Sequence, residues 1–129
     1  MASGTWKELI PPPGTNLVTC KWVFDIKYTS TKIDRFKARL VARGFTQKYS
    51  IDYTKTFAPT IRIDILRIFF ALVVKEDLYY KAIDIKNAFI ALPLKEDVWF
   101  KPFEGVNTKK GYAFKGLKSL YGLKQAARD

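Results

Sequence analysis

The sequence predicts an α+β domain built mainly of antiparallel strands with packed helices. Three observations predict it. Two neighbouring segments, 20–28 and 33–43, alternate apolar and polar residues with the period of a strand. A polar connection of hairpin length, Thr29 to Lys32, joins them. A broad apolar stripe over 65–73 has helical spacing instead, and short strand candidates follow it.

In chain order, Pro11, Pro12, Pro13 and Gly14 make an early break, so residues 1–15 read as an extended lead-in with Trp6 as its anchor. In CKWVFDIKY, Cys20, Trp22, Phe24, Ile26 and Tyr28 point one way and Lys21, Asp25 and Lys27 the other, the pattern of a half-buried strand. In IDRFKARLVAR, Arg35, Lys37, Arg39 and Arg43 share one parity, interrupted by Val41, while Phe36, Ala38, Leu40 and Ala42 take the other. Residues two apart on a strand face are ~6.6 Å apart, so this is a ladder of positive charge. Two readings are open: a ribbon awaiting an anion, or a solvated edge strand whose cations discourage aggregation. Gly44 ends that strand.

Phe45 to Thr60 is turn-rich, with Tyr49, Tyr53 and Phe57 spaced by four and Pro59 closing it. Asp64 is expected to cap a helix whose apolar stripe is Ile65, Leu66, Ile68, Phe69, Leu72 and Val73. Tyr79–Ile85 reads as a strand with Asp84 near its end, and 86–89 as the start of a short helix. Strand candidates at Val98–Lys101 and Tyr112–Phe114 flank a loop at 104–111.

With 129 residues there is room for one domain. The 48% hydrophobic content is enough for a core. There is no His and one Cys, which excludes a structural zinc site of the usual N/S type, a Ser-His-Asp or Cys-His hydrolase, and an internal disulfide. Twenty-three Lys and Arg against 12 Asp and Glu give a net charge of +11, which favours an anionic partner, nucleic acid ahead of membrane. The longest apolar stretch, about ten residues from Ile65 with Arg67 inside it, is too short to span a bilayer. The N-terminus has neither the basic nor the apolar part of a secretory signal.

Three segments in register carry a family resemblance: FKARLVARGFTQ (36–47) with IDYTKTFAP (51–59), AIDIKNAFI (82–90), and LKSLYGLKQAAR (117–128). Together they resemble the reverse transcriptase of copia-type LTR retrotransposons. The resemblance implies a right-hand polymerase, with 16–60 fingers-like and 61–129 a partial palm. It implies nucleotidyl transfer by two Mg2+ ions, RNA template, DNA primer and deoxynucleoside triphosphates as partners, no membrane, and an intracellular setting, a cytoplasmic particle or the nucleus. Asp84 matches the first catalytic, metal-binding aspartate; read without the family it is a helix cap. Phe89, five residues on, matches the aromatic gate against a ribose 2′-hydroxyl; without the family it is a core phenylalanine. Lys37 and Arg39 fall where the family faces the incoming triphosphate, and Gln125 where it holds the nucleotide. Arg35, Arg43, Gly122 and Lys124 are the implied nucleic-acid contacts, Gly122 by letting a backbone come close.

The sequence also departs from the family. The second catalytic element there is a Tyr-x-Asp-Asp hairpin, and this sequence has no two adjacent Asp residues. Glu76, Asp77, Glu96 and Asp97 do not reproduce it, and Leu92-Pro93 stands where the family has a polar pair. The expectation is therefore part of an RNA-directed DNA polymerase, inactive alone, with a palm segment from another chain to complete it. The alternatives are a non-catalytic basic nucleic-acid-binding module or a transposon remnant.

Overall fold

The computed structural model describes residues 4–84 and 92–128. Within the lead-in, Trp6–Leu9 forms strand β1, and Leu17–Val18 forms β2. A long hairpin follows: β3, Cys20–Thr29, and β4, Lys32–Ala42, joined by Ser30 and Thr31. A single 3-10 turn at Gly44–Thr46 leads into the irregular segment, and α1 spans Ile63–Lys75. Trp99–Phe100 is β5 and Ala113–Gly116 is β6. The described residues thus form a mixed α and β structure, mostly strands with one α-helix.

The short strands make one sheet in the order β1-β6-β5-β2. Its β1–β6 and β6–β5 pairs are antiparallel, and β2 runs parallel to β5. The lead-in is therefore an edge strand, which its brevity and lack of alternation concealed. Trp6 lies edge-on to Phe103 at 5.5 Å and tilted against Phe114 at 6.0 Å. The core beneath comprises Val18, Leu40, Val98, Phe100, Phe103, Phe114, Leu120 and Leu123. Burying Phe100 completely contributes about 2–3 kcal/mol.

Three expectations are corrected. Asp64 does not cap α1; Arg62 holds the N-cap position, and Asp64 sits in the first turn with Oδ2 2.9 Å from the Arg62 guanidinium. Its charge still complements the positive helix end. Among the described residues nothing covers the apolar stripe, and Val73 is the one residue of α1 that is buried. Residues 79–84 are not a strand, because no described strand lies beside them to take their backbone groups. The short helix expected from 86 falls outside the described residues.

Candidate nucleic-acid interface

The β3–β4 hairpin is set by its register. At the turn, Thr29 faces Lys32 and Tyr28 faces Ile33; beyond a bulge, Lys27 faces Arg35 and Cys20 faces Ala42. Asp34 is thus the extra residue on β4. Without it, every pair below would slip by one and set Phe24 against Lys37. With it, from Lys27 and Arg35 down to Cys20 and Ala42, even-numbered side chains share one face and odd-numbered ones the other, while above the bulge Ile33 pairs with Tyr28. The inserted residue sorts the ribbon into an aromatic side and a charged side.

The charged side carries Lys21, Lys27, Arg35, Lys37 and Arg39 around one carboxylate, Asp25. Asp25 faces Lys37 directly and lies 2.9 Å from Lys27 Nζ and 3.9 Å from Arg39 Nη1. The Lys27 hydrogen bond holds its carboxyl below the ordinary range, and the charges of Arg39 and Lys37 add to this. The sequence reading did not pair Asp25 with the ladder; the signal was its odd number. Arg35 is solvent-exposed and 3.6 Å from Asp34. Arg43 lies just past the strand, with its N–H donated to the Thr19 carbonyl at 2.8 Å.

A buried polar seam closes the base of the ribbon against residues 121–128. Asp52 Oδ2 accepts from Asn16 Nδ2 at 2.6 Å and from the Lys48 N–H at 2.7 Å. Gln47 Nε2 donates to Gln125 Oε1 at 2.9 Å while its own Oε1 accepts the Lys124 N–H at 2.8 Å. Gln125 Nε2 donates to the Asp52 carbonyl at 2.9 Å. Gln125 is fully buried, so its amide joins two chain segments. Gly122 has φ +86°, and a Cβ there would strike the Ala42 carbonyl; one at Gly44 would strike the Gly122 carbonyl. The backbone approached at Gly122 is thus that of β4, whose Ala42 N–H bonds to the Tyr121 carbonyl at 2.7 Å. Lys124 reaches back over the Tyr53 ring, 4.7 Å from its centroid, and donates to its hydroxyl at 2.9 Å.

Glu96 is the acid that Arg128 holds, by two bonds of 2.7 and 2.9 Å. The Arg128 hydrogen bond and charge keep its carboxyl below the usual range. Asp84 is exposed, on a stretch without regular secondary structure. Phe89 falls outside the described residues. Among the described residues no three His, Cys, Asp or Glu converge as a metal site, so they do not by themselves fit the two-ion centre implied above. No helix among them is long and apolar enough to cross a membrane.

The described geometry is a charged ribbon tied to the LYGLKQ segment, and the comparisons bear on the same stretches. Residues 3–129 match the family model described as reverse transcriptase (RNA-dependent DNA polymerase). The chain is 40% identical over 130 residues to the retrovirus-related Pol polyprotein from transposon TNT 1-94 of Nicotiana tabacum, covering 98% of this chain and 10% of that one. It is 40% identical over 129 residues to the corresponding polyprotein from transposon RE1 of Arabidopsis thaliana, covering 96% and 9%. For transposon RE2 of the same plant the identity is 36% over 129 residues, with 96% and 9% covered. The chain thus spans about a tenth of the length of these relatives. No solved structure matches it significantly. The chain belongs to the reverse transcriptase (RNA-dependent DNA polymerase) family of copia-type retrotransposon Pol polyproteins.

Proposed function

We propose that the chain serves template-directed DNA synthesis as the fingers (16–60) and the beginning of the palm (61–129) of a right-hand polymerase. Its own contribution is to hold nucleic acid and the incoming nucleotide. One observation carries the reading: the bulge at Asp34 brings Lys27, Arg35, Lys37 and Arg39 onto one ribbon face, four cations against Asp25 among them and Asp34 beside Arg35. Such a row stabilises the spaced charges of a phosphate chain, and Lys37 and Arg39 are the cations assigned to the triphosphate. Arg35, Arg43 and Lys124 steer the strand. Gly122 and Gln125 set the position of the segment that meets it. Asp84 supplies one carboxylate for Mg2+, an ion reverse transcriptases generally use, and Phe89 the gate against ribonucleotides; the remaining metal ligands come from a palm segment outside the described residues or on another chain. RNA template, DNA primer and deoxynucleoside triphosphates are the partners, inside the cell.

The test is binding of a labelled single-stranded oligonucleotide by the chain. Lys37→Ala with Arg39→Ala should weaken it and flatten the log-log salt slope by about 1.4, at ~0.7 per phosphate contact. An unchanged slope removes the ribbon from the reading. Primer extension by the chain alone should be undetectable, since no three potential metal ligands converge among the described residues. With a complete palm added, Asp84→Asn should abolish incorporation while sparing binding, and Phe89→Ala should admit ribonucleotides.

A further inference from the structure

The aromatic side of the ribbon has no role in the reading above. Its inner residues, Trp22 and Leu40, belong to the body; its outer residues do not. Phe24 and Phe36 are each 76% exposed, and Tyr28, Ile26 and Ile33 are exposed beside them. The rings are ordered from within. Trp22 donates its indole N–H to the Glu104 carbonyl at 2.9 Å, and Phe24 lies over it at 6.4 Å with only 18° between the planes. Phe24 therefore continues a stack that starts in the body and ends in solvent. Across the ribbon Phe24 faces the small Ala38, and Phe36 is its diagonal neighbour. Diagonal positions on an antiparallel pair are ~7–8 Å apart, about twice the ~3.4 Å repeat of stacked bases, which leaves the thickness of one base between the rings. An open groove of about 830 Å³ runs here, lined by Phe24, Ile26, Tyr28, Phe36 and Ala38, with Asp25 and Lys37 at its border.

We propose that this face is a stacking platform for the bases of single-stranded nucleic acid, while the phosphates follow the cations at the ribbon's edge and reverse side. Charge selects the occupant: Lys37 and Asp25 offset each other at the border of the groove, while the reverse face as a whole is cationic and the chain carries +11. A polyanion bearing flat rings satisfies both sides at once; a neutral apolar partner satisfies one. The ribbon is two strands wide, ~4.8 Å between axes, so a strand seated on one face keeps its phosphates near the other. Base–aromatic stacking tolerates any sequence, because every base has a π-face.

The inference rests on the nucleic-acid reading and deepens it, so the test separates the two. Fluorescence anisotropy compares a 12-nucleotide single strand with an abasic strand of equal length and charge, using the full chain. The intact strand should bind at least about tenfold more tightly. Phe24→Ala with Phe36→Ala should bring its affinity down to the abasic value, leaving the abasic affinity and salt slope unchanged. Phe24→Leu with Phe36→Leu, which keeps apolar area and loses the π-faces, should do the same. Lys37→Ala with Arg39→Ala should weaken both strands by one factor. Equal binding of the two strands by the unsubstituted chain, or an aromatic variant that keeps the ratio, overturns the platform and leaves the charged ribbon standing. An aromatic variant that alters only self-association overturns it in favour of a second copy on this face. Failure to bind either strand overturns both readings.

Discussion

The body of the molecule and the segment from Ile61 to Asp84 contain similar residues and treat them oppositely. In the body, Val98, Phe100, Phe114 and Leu120 come from short, unpromising stretches and are buried to 4% exposure or less. In α1, a regular amphipathic helix, Ile65, Ile68, Phe69, Phe70 and Leu72 are all exposed. A pattern fixes which face of an element is apolar; only a partner decides whether that face is buried. The body has partners because β1, β2, β5 and β6 pair across long separations and the polar seam clamps the result. The helix has an apolar face and, among the described residues, almost nothing laid against it.

The sharpest way to break this contrast is to truncate one residue in each region. Phe100→Ala should lower stability by about 3–5 kcal/mol in urea unfolding, and Ile68→Ala by less than about 1 kcal/mol. Comparable losses would mean that α1 is packed in solution. The seam comes next. Asp52→Ala removes the acceptor of Asn16 Nδ2 and the Lys48 N–H, and should cost about 2–3 kcal/mol; Asp52→Asn, which keeps one acceptor oxygen, should cost less.

Arg128→Ala should cost about 1–2 kcal/mol near neutral pH. The sign with pH follows from Glu96, whose carboxyl is held below its ordinary value. Its contribution is present above that value and is lost as pH falls through the lowered one. Urea midpoints between pH 6 and 3 should therefore decline less steeply in Arg128→Ala than in the unsubstituted chain. The smallest effect is at Cys20. Burial pushes its thiol from 9.0 up to about 12, so it should resist alkylation at pH 8 in the folded chain and react after unfolding. Because that value is raised, the associated stability is complete below pH 9 and disappears as pH climbs toward 12.

What the sequence revealed follows the same division. The ribbon and α1 were legible because period-2 and period-3.6 patterns are local. The β1–β6 pairing was not, since four residues with one tryptophan carry no periodic signal and their partner is more than a hundred positions away. The ladder was legible as a row of cations, yet its counter-charge Asp25 required the register, and the register turns on one bulged residue. Gln125 entered only through the family resemblance, as a nucleotide contact. Its amide is fully buried against Gln47 and Asp52, an arrangement that no neighbouring residue announces.

The seam also orders events in time. Gln47 and Gln125 are 78 positions apart, and Gly44 and Gly122 meet by the same long path. As the chain emerges from a ribosome, the ribbon can zip as soon as its two strands are out, because hairpins form in microseconds. The base of that ribbon has nothing to rest on until residue 125 arrives, and closing so long a loop is slow. Until then the molecule is an exposed aromatic and cationic arm on an unfinished body.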